Sequence, residues 1–309
     1  MSVPKILLHP EGPSVSRLIY GCWRLLNNED PNGKTPEAIL QRIKKCISLG
    51  ITTFDHADIY GGGHHGCEKL FGQALRLEPS LRQQIQIVTK TGIRAGATPG
   101  HYNLSYDYIL KRVDASLEAL GVDYVDVLLI HRPSPLMNAD EVSRAFQTLK
   151  SQNKVHYFGV SNFTPSQFDL LQSRLSFPLV TNQLELHPLT LEPFMDGTLD
   201  HLQRLRVAPM AWSPLAGGRL VKATDDDRTI RVQETVWRIA GEVGKHIGSE
   251  VTADQVIFAW LLQHPSNIAV VLGTNNLERI EAATKSLDIK LTLEQWFFIY
   301  EASAGRPVP

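Results

Sequence analysis

The side chains best suited to chemistry follow a short apolar run, where an acid and a tyrosine lie five positions apart. Asp55 ends the run 51–54, Tyr60 comes five residues later, and three glycines follow at 61–63. This order predicts a buried strand that ends at a rim, with its last polar side chains accessible there. Asp55 and Tyr60 would then share one pocket. The alternative is that Tyr60 is an ordinary loop tyrosine, and this stretch alone leaves both interpretations open.

Other short apolar segments also end in residues that ionise or form hydrogen bonds. These end residues are Asp55, Lys90, His131, Ser161 with Asn162, Gln183, Ser213, and Thr274 just after Gly273. In a barrel of parallel strands, the carboxyl ends of all strands meet on the face where active sites form. Some polar ends arise by chance, because every strand must pass into a polar loop. An acid, a lysine and an imidazole on three successive ends favour a functional site.

The elements that must position these residues alternate between short apolar segments and segments of helical spacing. This alternation predicts parallel strands joined by helical crossovers. Helix starts are indicated by Thr35 before Pro36 and by capping boxes from Thr164, Thr252 and Thr292. The predicted strands are 20–25, 51–55, 85–90, 124–131, 155–161, 179–183, 207–212 and 268–272. The predicted helices are 36–49, 67–77, 105–120, 139–151, one from 165, 194–205, 230–245, 253–264, 277–286 and one from 293.

Eight strand–helix units in 309 residues predict an α/β fold, a (β/α)8 or TIM barrel with its active site at the C-terminal ends of the strands. Gly12 and Pro13 between short apolar segments predict an N-terminal β-hairpin, and the last capped segments predict extra helices near the C-terminus. Loops are expected at 27–34 and, as the longest, at 213–229. An open doubly wound sheet is the alternative, disfavoured because no Gly-x-Gly-x-x-Gly follows an early strand. No linker-like segment divides the chain, so we expect residues 1–309 to form a single domain.

Composition excludes several classes of function. The chain is 43% hydrophobic and 20% charged, with a net charge of -1, so nothing indicates binding to nucleic acid or to an anionic membrane. No apolar run is long enough for a membrane span, and residues 1–10 lack a secretory core. Cys22, Cys46 and Cys67 are odd in number and widely spaced, which indicates free thiols in a reducing compartment. We therefore expect a cytoplasmic protein, and the sequence indicates no protein partner.

The ordered set of strand-end motifs resembles the aldo-keto reductase family, in particular bacterial members known only as oxidoreductases. Each motif is short, but together they follow the family's order over nearly the whole chain. The matching stretches are Phe54-Asp55-His56-Ala57-Asp58-Ile59-Tyr60, Val88-Thr89-Lys90, Leu128-Leu129-Ile130-His131-Arg132-Pro133, Gly159-Val160-Ser161-Asn162-Phe163, Asn182-Gln183, Trp212-Ser213-Pro214-Leu215, and Gly273-Thr274 with Arg279.

The chemistry of this family explains the residue types at the first three strand ends. Reducing a carbonyl with a nicotinamide needs a proton donor, and a free tyrosine, with a pKa of about 10, is a weak one. A nearby cation favours the phenolate, so Lys90 can tune Tyr60 while Asp55 holds Lys90 in place. The resemblance assigns these roles to Asp55, Tyr60 and Lys90, with His131 orienting the carbonyl oxygen. On the residues alone, a structural ion pair between Asp55 and Lys90 is an equal alternative.

The resemblance also implies NADPH or NADP as cofactor and a set of residues that contact it. Ser161, Asn162 and Gln183 match residues that bind the nicotinamide carboxamide, and Trp212 matches an aromatic that stacks on the ring; on composition alone, Trp212 would be a core residue. The loop after Trp212 matches a pyrophosphate-binding segment, and the residues around Thr274 match the 2′-phosphate and adenine end. The full implied set is Cys22, Trp23, Asp55, Ser161, Asn162, Gln183, Trp212, Ser213, Pro214, Leu215, Gly217, Gly273, Thr274, Asn275 and Arg279.

Two departures from the family pattern affect the adenosine end. Gly273 stands where well-studied members carry a lysine, and Ala282-Ala283 stand where they carry a Glu-Asn pair. Arg279 remains, so we expect NADPH to be preferred over NADH by a smaller margin than in those members. The alternative for Arg279 is a solvated surface charge on a helix.

The substrate pocket is expected to involve Trp23, by resemblance, and Arg132, which directly follows His131. Several family members carry an aromatic residue at the position of Arg132. A guanidinium there would bind an anionic group on a small aldehyde or ketone through paired hydrogen bonds. The alternative is that Arg132 turns away and ties down the loop 133–135.

Three functions of different classes remain open. The first is NADPH-dependent carbonyl reduction, and the second is a lyase in which Lys90 forms a Schiff base. The third is a non-enzymatic, cofactor-sensing binding protein, because potassium-channel beta subunits resemble this family. A metal site at His64, His65 and Cys67 is not expected, since these residues crowd one glycine-rich turn.

Overall fold

The computed structural model describes residues 2–27 and 31–309. Of the loop predicted at 27–34, residues 28–30 lie outside the described residues, and Pro31–Lys34 forms a 3-10 helix. The described strands are β1 (Lys5–Leu7), β2 (Ser14–Ser16), β3 (Leu18–Gly21), β4 (Thr53–Asp55), β5 (Gln86–Thr91), β6 (Ile93–Arg94), β7 (His101–Tyr102), β8 (Val125–Ile130), β9 (Val155–Ser161), β10 (Leu179–Glu185), β11 (Met210–Trp212) and β12 (Ala269–Leu272).

The described α-helices follow most barrel strands and cover the outside of the sheet. They are α1 (Pro36–Ser48), α2 (Gly66–Leu77), α3 (Tyr106–Leu120), α4 (Ala139–Ser151), α5 (Pro165–Gln172), α6 (Glu192–Met195), α7 (Thr198–Leu205), α8 (Asp227–Ile247), α9 (Ala253–Leu262), α10 (Leu277–Thr284) and α11 (Leu293–Ala304). None of the helices described is long and apolar enough to cross a membrane.

Eight parallel strands close into one barrel, which confirms the predicted (β/α)8 fold. In order around the barrel they are β3, β4, β5, β8, β9, β10, β11 and β12, with β12 pairing back to β3. The strands therefore lie side by side in their order along the chain, and their carboxyl ends meet on one rim. The antiparallel hairpin β1–β2 confirms the predicted N-terminal hairpin.

The alternation of side chains along the strands explains which residues reach the barrel interior. Val127 and Leu129 belong to the inner apolar cluster, whereas Leu128 and Ile130 pack outward against the helices. Val88 also lies in the inner cluster. Because successive residues of a strand point to opposite faces, Lys90 and His131, two positions after Val88 and Leu129, are directed to the interior side of the rim. The other end of the barrel is closed by Leu8 and Val15 of the hairpin.

Several predicted boundaries agree closely with the structure, and others are wrong for identifiable reasons. Helix 139–151 and strand 155–161 match α4 and β9. The helix predicted at 194–205 is two helices, α6 and α7, divided at Gly197, whose φ is +87°. The loop predicted at 213–229 contains a 3-10 helix, Ala216–Val221, and ends earlier because α8 begins at Asp227. The second hairpin, β6–β7, was not predicted.

The N-terminal ends of the helices show why some sequence signals were reliable. Thr164 accepts from the backbone N–H of Gln167 in α5, and Thr292 accepts from the backbone N–H of Gln295 in α11. Ser105 occupies the cap position of α3, but its hydroxyl donates to Asn103 Oδ1 and does not cap the helix. A neighbouring acceptor can therefore compete for a predicted capping side chain.

Candidate active site

A buried lysine connects the first three predicted residues at the rim. Lys90 Nζ lies 2.7 Å from Asp55 Oδ2, 2.8 Å from the His56 carbonyl oxygen and 3.1 Å from the Tyr60 hydroxyl oxygen. Lys90 and Asp55 are 1% and 3% exposed, so this charge pair is enclosed by the barrel. The three contacts use all three ammonium hydrogens. Since Lys90 donates to the Tyr60 oxygen, the Tyr60 hydroxyl hydrogen is left for another acceptor.

Two aromatic rings lie beside the Tyr60 ring. The His131 ring meets the Tyr60 ring edge-on with centroids 5.9 Å apart, and the Trp23 ring lies 6.4 Å from it. Trp23 is 54% exposed, which places it at the open side. The turn after Tyr60 bends away at Gly61, whose φ is +78° and where an added Cβ would lie 2.8 Å from the Cys67 nitrogen. A glycine is therefore required for the chain to pass this point.

Burial and the neighbouring charges together shift the pKa values of the residues at this site. Burial lowers the pKa of His131 well below its usual range, and the charges of Lys90 and Arg132 act in the same direction. Burial by itself would lower the pKa of Lys90, but Asp55 and Tyr60 outweigh it, so the pKa of Lys90 is raised. Burial raises the pKa of Tyr60, and the Lys90 ammonium opposes that rise. Near neutral pH, Lys90 is charged while His131 and Tyr60 are neutral.

A chain of hydrogen bonds joins Asp55 to the predicted carboxamide-binding residues. Gln183 Nε2 donates to Asp55 Oδ1 at 2.8 Å, and Ser161 Oγ donates to the Gln183 carbonyl at 2.8 Å. Asn162 Nδ2 donates to Ser161 Oγ at 2.8 Å, and Trp212 Nε1 donates to Asn162 Oδ1 at 3.0 Å. The structure therefore brings these four residues together beside Asp55. The bond between Gln183 and Asp55 was not predicted.

The loop after Trp212 and the loop after β12 lie at the outer end of the site. Gly217 has a φ of +70°, and an added Cβ at Gly217 or at Gly273 would meet no atom within 4 Å. Ser213 also has a positive φ, of 49°, while Pro214 is buried and Leu215 half-buried. Both loops thus leave open space beside the backbone, as a phosphate-binding loop requires.

Two of the predicted cofactor residues have their side chains occupied within the protein. The Cys22 side chain is fully buried in the core, so its thiol is not part of the rim. Asn275 Oδ1 accepts from the Tyr20 hydroxyl at 2.9 Å, and Asn275 Nδ2 donates to the Arg24 carbonyl at 2.6 Å. Cys22 and Asn275 can therefore contact a cofactor only through their backbone, and their place in the cofactor-binding set stays a prediction.

Thr274 and Arg279 remain at the outer end, with less support from neighbours. Thr274 is half-buried, and its Oγ1 accepts from the Asn276 N–H at 3.2 Å. Arg279 is exposed on α10, and its guanidinium makes no hydrogen bond or ion pair within residues 2–27 and 31–309. Of the pair that replaces Glu-Asn, Ala283 is 1% exposed and packs into the core.

Arg132 lies beside the site, contrary to the interpretation that it turns away to tie down the next loop. Its guanidinium carbon is 5.3 Å from the centre of the Trp212 ring, and its charge acts on His131. In the described part of the chain, no carboxylate pairs with it. Arg132 therefore presents an uncompensated cation next to Trp212.

Sequence reasoning missed two residues at this rim. Arg24 donates to the carbonyl oxygens of Gly273 and Gly217, both at 3.5 Å, and so spans the two outer loops. Asp58 lies within the stretch that ends at Tyr60 and is fully buried, but nothing in the sequence indicates a role for it. The pairing of an acid with an arginine on a distant helix leaves no signal in a single sequence.

In the turn with His64, His65 and Cys67, the side chains of His65 and Cys67 contact other protein groups. His65 Nδ1 lies 2.5 Å from Glu68 Oε2, and the Cys67 thiol faces the Trp23 carbonyl at 3.7 Å. Across the described ranges, no group of three or more His, Cys, Asp or Glu side chains is arranged to hold a metal ion.

Comparisons with known proteins agree with the barrel fold. The sequence model of the Aldo/keto reductase family matches residues 17–303. The chain is 46% identical to oxidoreductase YdhF of Escherichia coli, over 99% of this chain and 100% of that protein. It is 43% identical to a 6-dehydroglucose reductase of Agrobacterium fabrum, over 95% and 96% of the two chains. The crystal structure of the thermostable aldo-keto reductase Tm1743 with the inhibitor epalrestat superimposes with a TM-score of 0.80 at 28% identity, over 97% and 99% of the chains.

Proposed function

The chain belongs to the aldo/keto reductase family, and we propose that it reduces an aldehyde or ketone to an alcohol with NADPH, with Tyr60 as the proton donor. The observation that carries this proposal is the contact between Lys90 Nζ and the Tyr60 hydroxyl oxygen at 3.1 Å, in a site where Asp55 holds the lysine. Family membership gives the reaction class. The cofactor, the acid and the substrate are our inference from the side chains.

The site fits a bound nicotinamide dinucleotide on several counts. Gln183 keeps its amide oxygen free of donors from the described residues, and Asn162 and Ser161 lie next to it. Trp212 is held by its indole N–H, which leaves a ring face for stacking. The open backbone at Gly217 and Gly273 and the exposed Arg279 suit the phosphates. When bound, the nicotinamide supplies the hydride.

The protein's own residues then account for the proton. Tyr60 donates its hydroxyl proton to the carbonyl oxygen as negative charge develops there. Lys90 donates to the Tyr60 oxygen and stabilises the phenolate left behind, while Asp55 keeps the ammonium in place. His131 is neutral because of burial and two nearby cations. A neutral imidazole N–H orients the carbonyl oxygen without competing as the acid.

The same geometry disfavours the Schiff-base lyase. A Schiff base needs a neutral amine as nucleophile. Lys90 has three acceptors around its ammonium group, and its pKa is raised. The binding-protein alternative rests on relatives such as the putative voltage-gated potassium channel subunit beta of Schizosaccharomyces pombe, 30% identical over 95% of this chain. The intact set of Asp55, Tyr60, Lys90 and His131 supports catalysis instead.

For the substrate, we propose a small aldehyde with several oxygen atoms remote from the carbonyl. The Agrobacterium fabrum relative is a 6-dehydroglucose reductase, and 6-dehydroglucose is such an aldehyde. It is therefore the first candidate substrate. Arg132, beside Trp212 and without a carboxylate partner in the described residues, would donate to those oxygens. A carboxylate would bind it more tightly than hydroxyl groups do. We also place the reaction in the cytoplasm, where Cys22, Cys46 and Cys67 stay free thiols.

The test is a screen of aldehydes, ketones and keto acids in which turnover is measured as the loss of NADPH absorbance. We expect turnover with at least one aldehyde, and almost none with the Tyr60→Phe variant. If the unaltered protein binds NADPH but reduces nothing, the binding-protein alternative is favoured. If Tyr60→Phe turns over normally, another residue is the acid.

A further inference from the structure

Asp58 lies two residues before Tyr60 and is the most connected residue of that loop. Its side chain is fully buried. Asp58 Oδ2 accepts from Arg112 Nε at 2.8 Å and from Thr91 Oγ1 at 2.9 Å. Arg112 comes from the middle of α3, and Thr91 directly follows Lys90 on β5. One carboxylate oxygen thus connects the Tyr60 loop to two separate elements.

The backbone of Asp58 is fixed by the same neighbours. Its N–H donates to the Lys90 carbonyl at 3.0 Å, and its carbonyl accepts from the His65 N–H at 2.9 Å. Arg112 Nη2 also donates to that carbonyl, at 3.3 Å. The strand that carries Lys90 and the loop that carries Tyr60 are therefore joined at Asp58 as well as through Lys90 Nζ.

A buried charge pair of this kind is a weak source of stability. Removing two charges from water costs about as much as their attraction returns, so such pairs are often neutral or unfavourable compared with apolar side chains. Asp58 Oδ1 is also buried without a hydrogen-bond partner in the described part of the chain, which adds to the cost. The pairing of Asp58 with Arg112 is therefore better explained by a need to hold the loop in one position than by a gain in the stability of the fold.

The loop that Asp58 ties to its neighbours is the one that carries Tyr60. The contact between Tyr60 and Lys90 is a single hydrogen bond of 3.1 Å, and it weakens steeply with distance and angle. The loop from Ala57 to Tyr60 has one internal backbone bond, from the Tyr60 N–H to the Ala57 carbonyl. External contacts must therefore hold this loop. Asp58 supplies most of them, and the Tyr60 carbonyl also accepts from the Cys67 N–H at 3.1 Å.

We propose that Asp58, with Arg112 and Thr91, is a positioning residue that holds the Tyr60 hydroxyl against Lys90. This inference rests on the proposed role of Tyr60 as acid. Asp58 touches neither substrate nor cofactor, and it acts through Tyr60. Its loss should lower kcat and leave NADPH affinity unchanged, because only the alignment of the proton donor is disturbed.

The structure offers a matched control pair at the opposite end of the barrel. Arg82 Nη2 lies 2.9 Å from Asp126 Oδ2, with side chains 14% and 16% exposed, compared with 18% and 0% for Arg112 and Asp58. Asp126 is near the start of β8, so this pair is on the far rim. Arg112→Gln and Arg82→Gln therefore make the same change in two similar ion pairs that differ in their distance from Tyr60.

We expect Asp58→Asn and Arg112→Gln to lower kcat by about tenfold to a hundredfold, the range for a small misplacement of a catalytic group. Arg82→Gln should change the melting temperature but not kcat. Thr91→Val should lower kcat less, and Thr91→Ser should restore it, since the serine hydroxyl can still reach Asp58. This milder pair covers the case in which Asp58→Asn does not fold. An unchanged kcat in Arg112→Gln and Thr91→Val, or an equal loss in Arg82→Gln, would overturn the proposal.

A double variant separates positioning of Tyr60 from a general structural effect. In a Tyr60→Phe background, Thr91→Val or Arg112→Gln should cause no further loss of the residual rate, because the group that they position is already gone. A loss as large as in the unaltered background would contradict action through Tyr60.

A second readout distinguishes failure of this proposal from failure of the proposed function. Hydrogen exchange of the amides at 57–61 should accelerate in Arg112→Gln but not in Arg82→Gln, whether or not the protein reduces a carbonyl. If exchange accelerates while no carbonyl is reduced, Asp58 positions the loop and the proposed reaction is wrong. If exchange does not change, the positioning role is wrong whatever the reaction.

Discussion

The inner and outer ends of the proposed cofactor groove differ in how much the protein itself fixes their side chains. At the inner end, Asp55, Lys90 and Gln183 are 1–3% exposed and bonded to one another at 2.7–2.8 Å. At the outer end, Gly273 and Arg279 are exposed, and the Arg279 guanidinium has no partner within the described ranges. Arg24 spans the outer loops by two contacts of 3.5 Å.

This difference follows from the elements that carry the two sets of residues. Asp55, Lys90 and Gln183 are on barrel strands, whose register leaves little freedom. Gly273 and Thr274 are on a loop, and loops are more adaptable. A proton donor gains from being held rigidly before substrate arrives, whereas a phosphate can order its own loop on binding. Substitutions at the inner end should therefore affect the rate, and those at the outer end should affect binding.

The largest effect is expected from Tyr60→Phe, which removes the hydroxyl and keeps the ring. General acid catalysis is worth about 10²–10⁴-fold, so kcat should fall by that factor. The NADPH dissociation constant, measured by fluorescence quenching, should not change. Tyr106→Phe is the control, since that hydroxyl bonds to Thr148 Oγ1 at 3.2 Å, between α3 and α4. A weaker NADPH affinity with normal kcat in Tyr60→Phe would reverse the proposed division between the two ends.

Lys90→Met should lower kcat by about 10²–10³-fold, the usual cost of losing one group that stabilises developing charge. It should also raise the pH at which kcat falls on the alkaline side of the pH profile. The Lys90 ammonium opposes the rise in the pKa of Tyr60, so without it that pKa rises further and Tyr60 stays protonated to higher pH. Lys154→Met, which breaks an exposed pair with Asp114, is the control. If kcat of Lys90→Met instead falls at a lower pH than in the unaltered protein, Lys90 does not tune Tyr60.

Arg279→Ala tests the outer end and should weaken NADPH binding by about tenfold to a hundredfold. One charge-assisted hydrogen bond is worth about 1.5–3 kcal/mol. NADH binding and kcat at saturating NADPH should stay the same, because the 2′-phosphate is the only group concerned. Arg238→Ala, on the exposed surface of α8, is the control. Equal losses for NADPH and NADH would show that Arg279 does not recognise the 2′-phosphate.

The strand-borne half of the site was predictable from sequence because an apolar strand and its polar end are local features. The period of two that places Val88 inside also places Lys90 at the rim. The roles of these residues came from resemblance and remain predictions. The bond between Asp58 and Arg112 joins residues 54 positions apart, and that between Asn275 and the Arg24 carbonyl joins residues 251 apart. A single sequence holds no signal for such pairs, since tertiary packing decides them.

Two residues show where a local sequence signal does not reveal the structure. The helix predicted at 194–205 is divided because Gly197 adopts a left-handed conformation that ends one element and starts the next. Asn275 is a cofactor residue by resemblance and stays one as a prediction, but its amide oxygen accepts from the Tyr20 hydroxyl, a partner that the sequence does not indicate. In both cases the residue type is plain from the sequence, whereas the backbone conformation of Gly197 and the side-chain partner of Asn275 are not.

Gly273→Lys is expected to strengthen NADPH binding by about tenfold, through one added contact with phosphate. The site has room, since an added Cβ at Gly273 would meet no atom within 4 Å. NADH binding should change less, because NADH lacks the 2′-phosphate. Gly273→Gln is the control of similar length without charge. If both substitutions have the same effect, or if Gly273→Lys weakens NADPH binding, the outer end is not limited by the missing cation.

The smallest expected effect concerns Arg132, which lies between the two ends beside Trp212. Arg132 is half-buried, and an ion pair in such a position is worth up to about 1 kcal/mol, or roughly fivefold in affinity. Arg132→Leu should therefore raise KM for 2-carboxybenzaldehyde by about fivefold and leave KM for benzaldehyde almost unchanged. Loss of a cation near His131 would also let the pKa of His131 rise towards its usual value. That change would affect both aldehydes equally, so a similar loss for both would show that Arg132 acts through His131 and does not bind the substrate.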